Sequence, residues 1–406
     1  MWASKGLDFD DAIKGSSAAN TLVGGTGKDK LTGLAGADTL QGGSDDDLLD
    51  GGDGIDTIDY DGPAAVTVNL STLTASGGDA QGDVIGAGIE NIRGTGIYND
   101  ILTGSAVANV LDGYGGNDTL NGMTGNDILV GGAGADGLDG GDGADMADYS
   151  GGVAGVTVNL AAGAGSGGDA AGDTLAGIEN VKGSLYQDTL TGDGAANVLQ
   201  GLLGDDVLRG GAEADTLQGG SGFDTASYYS GAARVLVSLV SGIGSGGGAQ
   251  GDTLSGIENL SGSQGNDSLY GNAGVNVLQG WNGNDDLIGR AGKDTLTGGA
   301  GEDRFIFAAV GDSVVGADAD IVTDFSRAQG DRIDLMGIDA NGSAAGDQAF
   351  SFIGSALYTG VAGQLRYAFT APGVTTIAGD VDGDKVSDFH IQLTGAIDLV
   401  ASDFML

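Results

Sequence analysis

Aspartate recurs at every ninth residue over most of this chain, in a context rich in glycine. The sequence holds 84 glycines, and 57 acidic residues against 15 basic ones give a net charge of −42. The repeating unit, represented by residues 131–139, has the pattern G-G-x-G-x-D-x-L-x. Carboxylates and loop carbonyls together suit Ca²⁺, which accepts flexible sets of about six to eight oxygen ligands. The spacing therefore predicts that the aspartate series binds calcium.

The predicted metal ligands are the aspartates at the sixth position of the unit and the glycines of the preceding loop. Within each of four blocks these aspartates lie nine residues apart. The predicted aspartate ligands are Asp29, Asp38, Asp47, Asp56, Asp118, Asp127, Asp136, Asp145, Asp206, Asp215, Asp224, Asp285, Asp294 and Asp303. The loop glycines assigned to the sites are Gly25, Gly27, Gly132, Gly134, Gly299 and Gly301.

Several units depart from the pattern, and weaker sites are predicted at those places. A neutral asparagine replaces the aspartate once in each block, at Asn20, Asn109, Asn197 and Asn276. Acidic residues stand where a loop glycine is expected at Asp45 and Glu213, and the first coils of two blocks are irregular near Tyr98 and Tyr186.

The same unit predicts the fold. Its last three residues are extended, and only the middle one, usually leucine, faces inward. One leucine in nine residues gives a thin core, so that units must stack to bury it. Two units then form one coil, which places Asp29 beneath Asp47 and Asp38 beneath Asp56. The predicted fold class is all-β, a parallel β-roll or β-helix solenoid with a C-terminal β-rich cap.

Stacking the coils creates an electrostatic problem. Coils roughly 4.8 Å apart bring carboxylates close enough to repel by about 3 kcal/mol per pair at an effective dielectric of about 20. More than a dozen such residues would cancel the whole stability of a typical domain, about 5–15 kcal/mol. Calcium would neutralise them, whereas Mg²⁺ prefers octahedral geometry and keeps its water. The alternative, that glycine and aspartate only form turns, leaves the register of the carboxylates unexplained.

Three inserts of similar sequence separate the blocks and are predicted to continue the solenoid as longer, metal-poor coils. They begin with alternating apolar segments at residues 66–70, 156–160 and 235–239. The predicted repeat blocks are 6–60, 95–149, 183–228 and 262–303, the insert coils are 61–94, 150–182 and 229–261, and the C-terminal cap is 304–406.

An acidic loop in the predicted cap offers a separate candidate site. Acids alternate around Gly383 as they do in short calcium loops, although Lys385 stands where a second glycine would be usual. A solvated turn explains this pattern equally well. The weaker metal candidates are Asp380, Asp382, Asp384 and Asp388.

The nonapeptide resembles the RTX repeat of bacterial proteins that leave the cell by type I secretion, over most of residues 6–303. The tail resembles the C-terminal region of serralysin-type metalloproteases through residues 298–305, 331–335 and 379–384. In that family each calcium lies between stacked loops, held by the sixth-position aspartate and loop carbonyls. The resemblance also implies export through an ABC-type channel that recognises an uncleaved C-terminal signal. Residues 403–406, one acid and three apolar residues, match that signal, although a final strand would explain them equally well.

Few residues are suited to catalysis. The chain has no cysteine and one histidine, His390, so that an H-E-x-x-H zinc site cannot form. No G-x-S-x-G motif is present. Glu90, Glu179 and Glu258 occupy the same place in the three inserts, which favours a structural role over a catalytic carboxylate pair. The chain alone is predicted not to be an enzyme.

Charge and hydropathy restrict the partners. The net charge of −42 disfavours nucleic acid and anionic membranes, which need basic patches. No apolar run approaches the length of a membrane span, and the N-terminal residues lack the pattern of a secretory signal. The expected partners are calcium ions and the type I (ABC) secretion apparatus, with a cell surface or a polysaccharide as further candidates. The expected location is extracellular, with cell-surface association as an open possibility.

Two functions remain. The first is a secreted calcium-binding protein with a structural, surface or interaction role. The second is the non-catalytic C-terminal part of a larger RTX enzyme, a metalloprotease or a polysaccharide-modifying enzyme with its catalytic domain upstream. The repeat pattern already runs at Gly6, which is expected if a preceding part is missing.

Overall fold

The computed structural model describes residues 2–6 and 8–406. It divides into two compact units, Met1–Asp206 and Val207–Leu406. Both units are all-β and contain long parallel sheets, as the repeat pattern predicted. In the described part of the chain the helices are short 3₁₀ turns, and none qualifies as a membrane-spanning segment.

The described residues of the first unit form 23 short strands, because each nine-residue unit has room for only one. In chain order they are β1 (Trp2–Lys5), β2 (Ala12–Lys14), β3 (Asn20–Thr26), β4 (Lys30–Ala35), β5 (Thr39–Ser44), β6 (Leu48–Asp53), β7 (Thr57–Asp59), β8 (Thr67–Asn69), β9 (Thr74–Ser76), β10 (Val84–Ile85), β11 (Asn91–Arg93), β12 (Ile101–Thr103), β13 (Val110–Asp112), β14 (Thr119–Asn121), β15 (Ile128–Val130), β16 (Gly137–Asp139), β17 (Met146–Asp148), β18 (Thr157–Asn159), β19 (Ala164–Ser166), β20 (Thr174–Ala176), β21 (Asn180–Lys182), β22 (Thr189–Thr191) and β23 (Val198–Leu203).

Successive repeat strands of this unit enter two parallel sheets in turn. Strand β3 pairs with β5 so that Leu22 faces Leu40, and β4 pairs with β6 so that Leu31 faces Leu49. These pairs are one coil apart, as the two-unit coil requires. All four leucines are at most 1% exposed, so the two rows of leucine form the core between the sheets.

The second unit begins with the same pattern of short strands. Its strands are β24 (Val207–Arg209), β25 (Thr216–Ser221), β26 (Thr225–Ser227), β27 (Leu236–Ser238), β28 (Ile243–Ser245), β29 (Thr253–Ser255), β30 (Asn259–Ser261), β31 (Ser268–Tyr270), β32 (Val277–Asn282), β33 (Asp286–Ile288), β34 (Thr295–Ala300), β35 (Arg304–Ile306), β36 (Asp320–Val322), β37 (Arg332–Asp334), β38 (Ser351–Phe352), β39 (Gln364–Ala371), β40 (Val374–Asp380), β41 (Phe389–Thr394) and β42 (Phe404–Met405). The 3₁₀ turns of the two units are Gly78–Ala80, Gly168–Ala170, Gly247–Ala249, Val310–Asp312 and Ala401–Asp403.

Each insert forms an antiparallel hairpin followed by a strand that returns to the repeat sheet. The hairpins are β8–β9, β18–β19 and β27–β28. The returning strands β10, β20 and β29 pair parallel with β6, β16 and β25 of the preceding blocks. The alternating segments at the start of the inserts bury Val68, Val158 and Val237 completely. The inserts therefore contribute strands to the same sheets as the repeats.

The C-terminal region extends the two sheets of the second unit. Strand β36 pairs with the repeat strand β34, and β37 pairs with β35. An antiparallel sheet β39–β40–β41 joins the first of these through β41, and the final strand β42 joins the second beside β37. Aromatic side chains fill this region, among them the buried Phe305, Phe307 and Phe389. The final strand contains two of residues 403–406, the segment that resembles the secretion signal.

Candidate calcium sites

The repeat aspartates form ladders in which a carboxylate accepts a backbone N–H from the preceding coil. The backbone N–H of Asp29 donates to Oδ1 of Asp47 over 2.7 Å, and that of Asp38 donates to Oδ1 of Asp56 over 2.7 Å. Each donor and acceptor are 18 residues apart, one coil along the chain. This bond uses one carboxylate oxygen and thereby fixes the position of the other.

The second oxygen, Oδ2, is buried at many of these aspartates and has no hydrogen-bond partner among the residues that the structure describes. Burial without a partner is costly for any polar group and far more so for a charge. The repeat aspartates in this state are Asp29, Asp38, Asp47, Asp56, Asp118, Asp127, Asp136, Asp145, Asp285, Asp294 and Asp303. All of them are predicted ligands. The other three, Asp206, Asp215 and Asp224, are at most 1% exposed.

Glycine at the first loop position opens a space between these carboxylates and the next coil. A Cβ atom added to Gly24 would overlap Oδ2 of Asp29 and lie 2.5 Å from the carbonyl oxygen of Gly42. A Cβ atom on Gly122 would likewise overlap Oδ2 of Asp127. Oxygens from two coils therefore converge on a space that only glycine leaves open. A carboxylate beside a carbonyl is the donor set that Ca²⁺ prefers, so these residues fit the ion.

The six loop glycines predicted as ligands all adopt positive φ, between 88° and 159°. At Gly301 a Cβ atom would overlap the carbonyl of Gly283 in the neighbouring coil, so that the loops could not stack. Asp45 and Glu213 replace such glycines, yet they keep φ at 81° and 64°. The loop shape is therefore retained at these two departures, at the cost of backbone strain.

At three of the asparagine positions, backbone groups satisfy both the oxygen and the nitrogen of the side-chain amide. Oδ1 of Asn276 accepts the N–H of Asn272 over 2.8 Å, and its Nδ2 donates to the carbonyl of Glu258 over 2.8 Å. The same two contacts occur at the corresponding asparagines of two other blocks, Asn109 and Asn197. Because an amide carries its own donor, this arrangement needs no cation.

The first aspartate of three blocks is satisfied by a hydroxyl side chain. The N–H of Ser263 donates to Oδ2 of Asp267 over 2.5 Å, and the Ser263 hydroxyl donates to Oδ1 over 2.7 Å. Ser263 stands where the repeat otherwise has its second glycine, and this substitution is the signal visible in the sequence. The equivalent pairs are Thr95 with Asp100 and Ser184 with Asp188.

The ladders of the first three blocks end on acids from the inserts, and the sequence pattern singled out the three glutamates among them but not the three aspartates. The N–H of Asp136 donates to Oδ1 of Asp173 over 2.8 Å, and the N–H of Asp145 donates to Oε2 of Glu179 over 2.9 Å. The other blocks end in the same way on Asp83 and Glu90, and on Asp252 and Glu258. The three glutamates thus accept backbone N–H groups at the ends of ladders. Recurrence at one place in three inserts was the available signal.

Each insert aspartate that ends a ladder accepts a hydrogen bond from a buried tyrosine, which satisfies its second oxygen. The Tyr149 hydroxyl donates to Oδ2 of Asp173 over 3.0 Å. Burial, reinforced by this carboxylate, raises the pKa of Tyr149, so the hydroxyl keeps its proton and remains a donor. Tyr60 and Tyr228 have the same relation to Asp83 and Asp252. At the insert, a tyrosine hydroxyl therefore satisfies the carboxylate oxygen that a cation would have to satisfy within the repeats.

Burial also changes the acidity of the ladder. It raises the pKa of Asp47, Asp118, Asp285 and Asp294 to about 7, with neighbouring carboxylates adding to the effect. In the absence of a cation these groups therefore take up protons near neutral pH. Proton binding and cation binding compete for the same oxygens.

The acidic loop of the C-terminal region brings three of its four candidates together. Carboxylate oxygens of Asp380, Asp382 and Asp384 lie within 4.8 Å of one another. Both oxygens of the buried Asp380 accept backbone N–H groups, from Gly383 and from Lys385. The fourth candidate, Asp388, is not part of this group; its Oδ2 accepts the backbone N–H of Val381. Metal binding at this loop stays a prediction.

His390 has a structural environment. It lies in β41, and its Nδ1 accepts the backbone N–H of Gly316 over 3.1 Å. Burial lowers its pKa, which favours the neutral imidazole that this hydrogen bond requires.

Two family models match the chain. One, described as the RTX calcium-binding nonapeptide repeat in four copies, matches residues 5–39, 23–58, 94–129, 112–147, 173–208 and 191–226. The other, described as the peptidase M10 serralysin C terminal, matches residues 248–406. Both agree with the resemblance drawn from the motifs.

A search of curated proteins gave no match. Among solved structures, the chain is similar to the solution structure of the AlgE6R3 subunit from the Azotobacter vinelandii mannuronan C5-epimerase. The two are 32% identical, and the match covers 36% of this chain and 77% of that chain with a TM-score of 0.28.

Replacing Asp127 and Asp145 together by alanine tests the ladder register. The two residues are joined by the bond from the Asp127 N–H to Asp145 Oδ1, so the double variant removes adjacent ligands of one ladder. We expect the calcium midpoint of folding, followed by circular dichroism, to rise several-fold, because site affinity depends on the number of charged ligands. The exposed pair Asp139 and Asp142 provides a control with the same loss of charge. Equal midpoints for the two double variants would contradict the register.

Acid should partly replace calcium. In unfolded chain the aspartates titrate near the ordinary pKa of 3.8, whereas in the fold Asp47 and Asp118 titrate near 7. Between these values the calcium-free fold holds more protons than the unfolded chain, so its free energy of unfolding falls as pH rises. In excess chelator we expect the strand signal to increase as pH is lowered from about 8 to about 5. At fixed limiting calcium, acid should instead displace the ion, and the calcium midpoint should rise. A strand signal in chelator that does not change with pH would contradict the shifted titration.

Proposed function

Because this chain is an RTX repeat protein with a serralysin-type C-terminal region, we propose that it is exported unfolded by a type I system and folds outside the cell when calcium fills the aspartate ladders. The observation that carries the proposal is the series of buried Oδ2 atoms without hydrogen-bond partners, in register along the coils. The family matches support calcium binding and secretion at the coarser level.

Different atoms of the chain have different roles in holding the ion. Oδ1 of a ladder aspartate fixes the distance between coils through its bond to a backbone N–H, as Asp47 does for Asp29. Oδ2 remains available, and the first-position glycine, Gly24 at this site, leaves the space into which it points. Calcium, when bound, would supply the positive charge that these carboxylate and carbonyl oxygens need. Folding and binding are then one event, because the unfolded chain has no preformed site.

For the biological role we propose a structural, surface or interaction function without catalysis by this chain. The only histidine has no free basic nitrogen, since its Nδ1 accepts the N–H of Gly316. The glutamates repeated in the inserts accept backbone N–H groups at the ends of ladders. Calcium ions and the ABC exporter are the proposed partners, with a cell surface or polysaccharide as the extracellular contact.

A second candidate is the non-catalytic C-terminal part of a larger RTX enzyme. The observation that favours it is the match of residues 248–406 to a family described as the C terminus of a peptidase. In this case the ladders would serve as a calcium-dependent export and folding module for a catalytic domain upstream. The two candidates are separated by the genomic reading frame: a contiguous catalytic domain before these repeats selects the second.

Removing calcium should unfold the chain. With the cation gone, carboxylate repulsion and desolvation exceed what one leucine per nine residues can stabilise. We expect a largely disordered circular dichroism spectrum in chelator at pH 8, and strand signal that returns with a midpoint of roughly 10⁻⁴–10⁻³ M calcium. Magnesium at equal concentration serves as the control for ionic strength. Full strand signal in chelator at this pH would refute the proposed coupling.

Export should depend on the C-terminal region. In a host with a compatible ABC exporter, we expect loss of the last 60 residues to abolish secretion into the medium, because the address lies within residues 304–406. Removing only residues 403–406 tests their part in the address, but it also removes the ion pair between Asp403 and Arg327 and the whole of β42. Arg327→Ala breaks that pair and leaves the ending intact, so it controls for folding defects. Undiminished secretion of the 60-residue truncation would refute a C-terminal signal.

A further inference from the structure

The last two ladders of the second unit end on acids of the C-terminal region. The N–H of Asp303 donates to Oδ1 of Asp331 over 3.1 Å, and the N–H of Asp294 donates to Oδ1 of Asp320 over 2.9 Å. Neither acceptor belongs to a nine-residue unit. The two ends can therefore be compared directly, since each receives the same contact from the last aspartate of its ladder.

One of the two ends is closed by the protein itself. Oδ2 of Asp331 accepts the backbone N–H of Ser326 over 2.8 Å. The insert end in the same unit is closed as well, by the Tyr228 hydroxyl on Oδ2 of Asp252 at 3.0 Å. These carboxylates have donors on both oxygens and need no cation.

The other end is open. Asp320 is 0% exposed, and its Oδ2 has no hydrogen-bond partner among the described residues. The nearby hydroxyl of Ser313 is already engaged, because it donates to the carbonyl of His390 and accepts the N–H of Asp320. It therefore has no proton left for the carboxylate. Asp320 thus shows the same vacant acceptor as the repeat aspartates, outside the repeat.

The charges around this carboxylate are also negative. The charged groups that act on Asp320 are the carboxylates of Asp294 and Asp312. Oδ2 of Asp294 is itself buried without a partner, whereas Oδ2 of Asp312 accepts two backbone N–H groups, from Ala308 and Ala309. Two unsatisfied carboxylate oxygens on consecutive rungs therefore remain, and no described side chain supplies the positive charge.

We propose that Asp294 and Asp320 together bind a further calcium ion, which ties the last repeat loop to the C-terminal region. The ligand class is a hard divalent cation, because the donors are carboxylate oxygens. The inference rests on the proposed calcium binding of the ladders and adds a site beyond the nonapeptide motif. Because Asp320 begins β36, which pairs with both β34 and β41, the ion would order the junction between the repeat sheet and the antiparallel sheet.

Counting bound calcium by native mass spectrometry on the full chain tests this site. Asp320→Asn keeps the size and the Oδ1 acceptor for the Asp294 N–H but removes the charge. We expect it to bind one ion fewer than the wild type. Asp331→Asn is the matched control at the closed ladder end, and we expect its count to equal that of the wild type. An unchanged count for Asp320→Asn would overturn the proposal and indicate that a proton neutralises Asp320 instead.

Two further results keep this test separate from the proposed function. If the wild type binds no calcium, the ladder proposal fails, whereas a calcium-loaded wild type with an unchanged count for Asp320→Asn refutes only the additional site. If Asp320→Asn does not fold, crystals of the wild type in calcium decide the question by anomalous scattering. An anomalous peak is expected about 2.3–2.6 Å from Asp320 Oδ2, and ordered density without one would overturn the site.

Discussion

A carboxylate oxygen that is buried without a donor is the constraint on which this structure depends. Oδ1 of a ladder aspartate is satisfied by a backbone N–H of the neighbouring coil, as in the bond from the Asp267 N–H to Asp285, but this same bond holds Oδ2 inside the loop. Stacking the coils to bury leucine therefore buries charge at the same time. Since a thin core cannot compensate many unpaired charges, the ladder is stable only when a cation or protons neutralise it. Core formation and ion binding are consequently inseparable.

The second and third blocks limit the need for a cation to their middle aspartates. At the start of a block, a loop hydroxyl such as that of Ser184 satisfies the aspartate, and the following asparagine supplies its own amide donor. At the end, the two ladders of the second block stop at Asp173 and Glu179 of the insert, and Tyr149, the last residue of the block, donates to Asp173. The second and third blocks thus begin and end on aspartates whose carboxylate oxygens have donors from the protein. The insert aspartate at each break therefore has donors for both of its oxygens, which allows blocks and inserts to alternate along the chain.

The nine-residue period was sufficient to predict the ladder because it fixes which residues meet. Asp29 and Asp47 are 18 residues apart and pair as the two-unit coil requires. The ladder ends could not be found in the same way. Asp173 meets Asp136 across 37 residues and Asp320 meets Asp294 across 26, so neither distance is a multiple of the coil. Those contacts depend on the path of the hairpin or loop between them, and residue spacing alone does not specify that path.

Calcium and protons neutralise the same oxygens but do not hold the coils in the same way. A proton on Asp118 removes one charge and adds a donor on one carboxylate, without a ligand set that includes the next coil. A cation accepts oxygens from both coils, since the carboxylate and the carbonyl beside a first-position glycine belong to successive turns, as for Asp127 and Gly140 around Gly122. Protonation can therefore relieve the cost of burying the ladder, whereas calcium also links its rungs. The fold formed in acid should accordingly have the strands of the native state with weaker contacts between its loops.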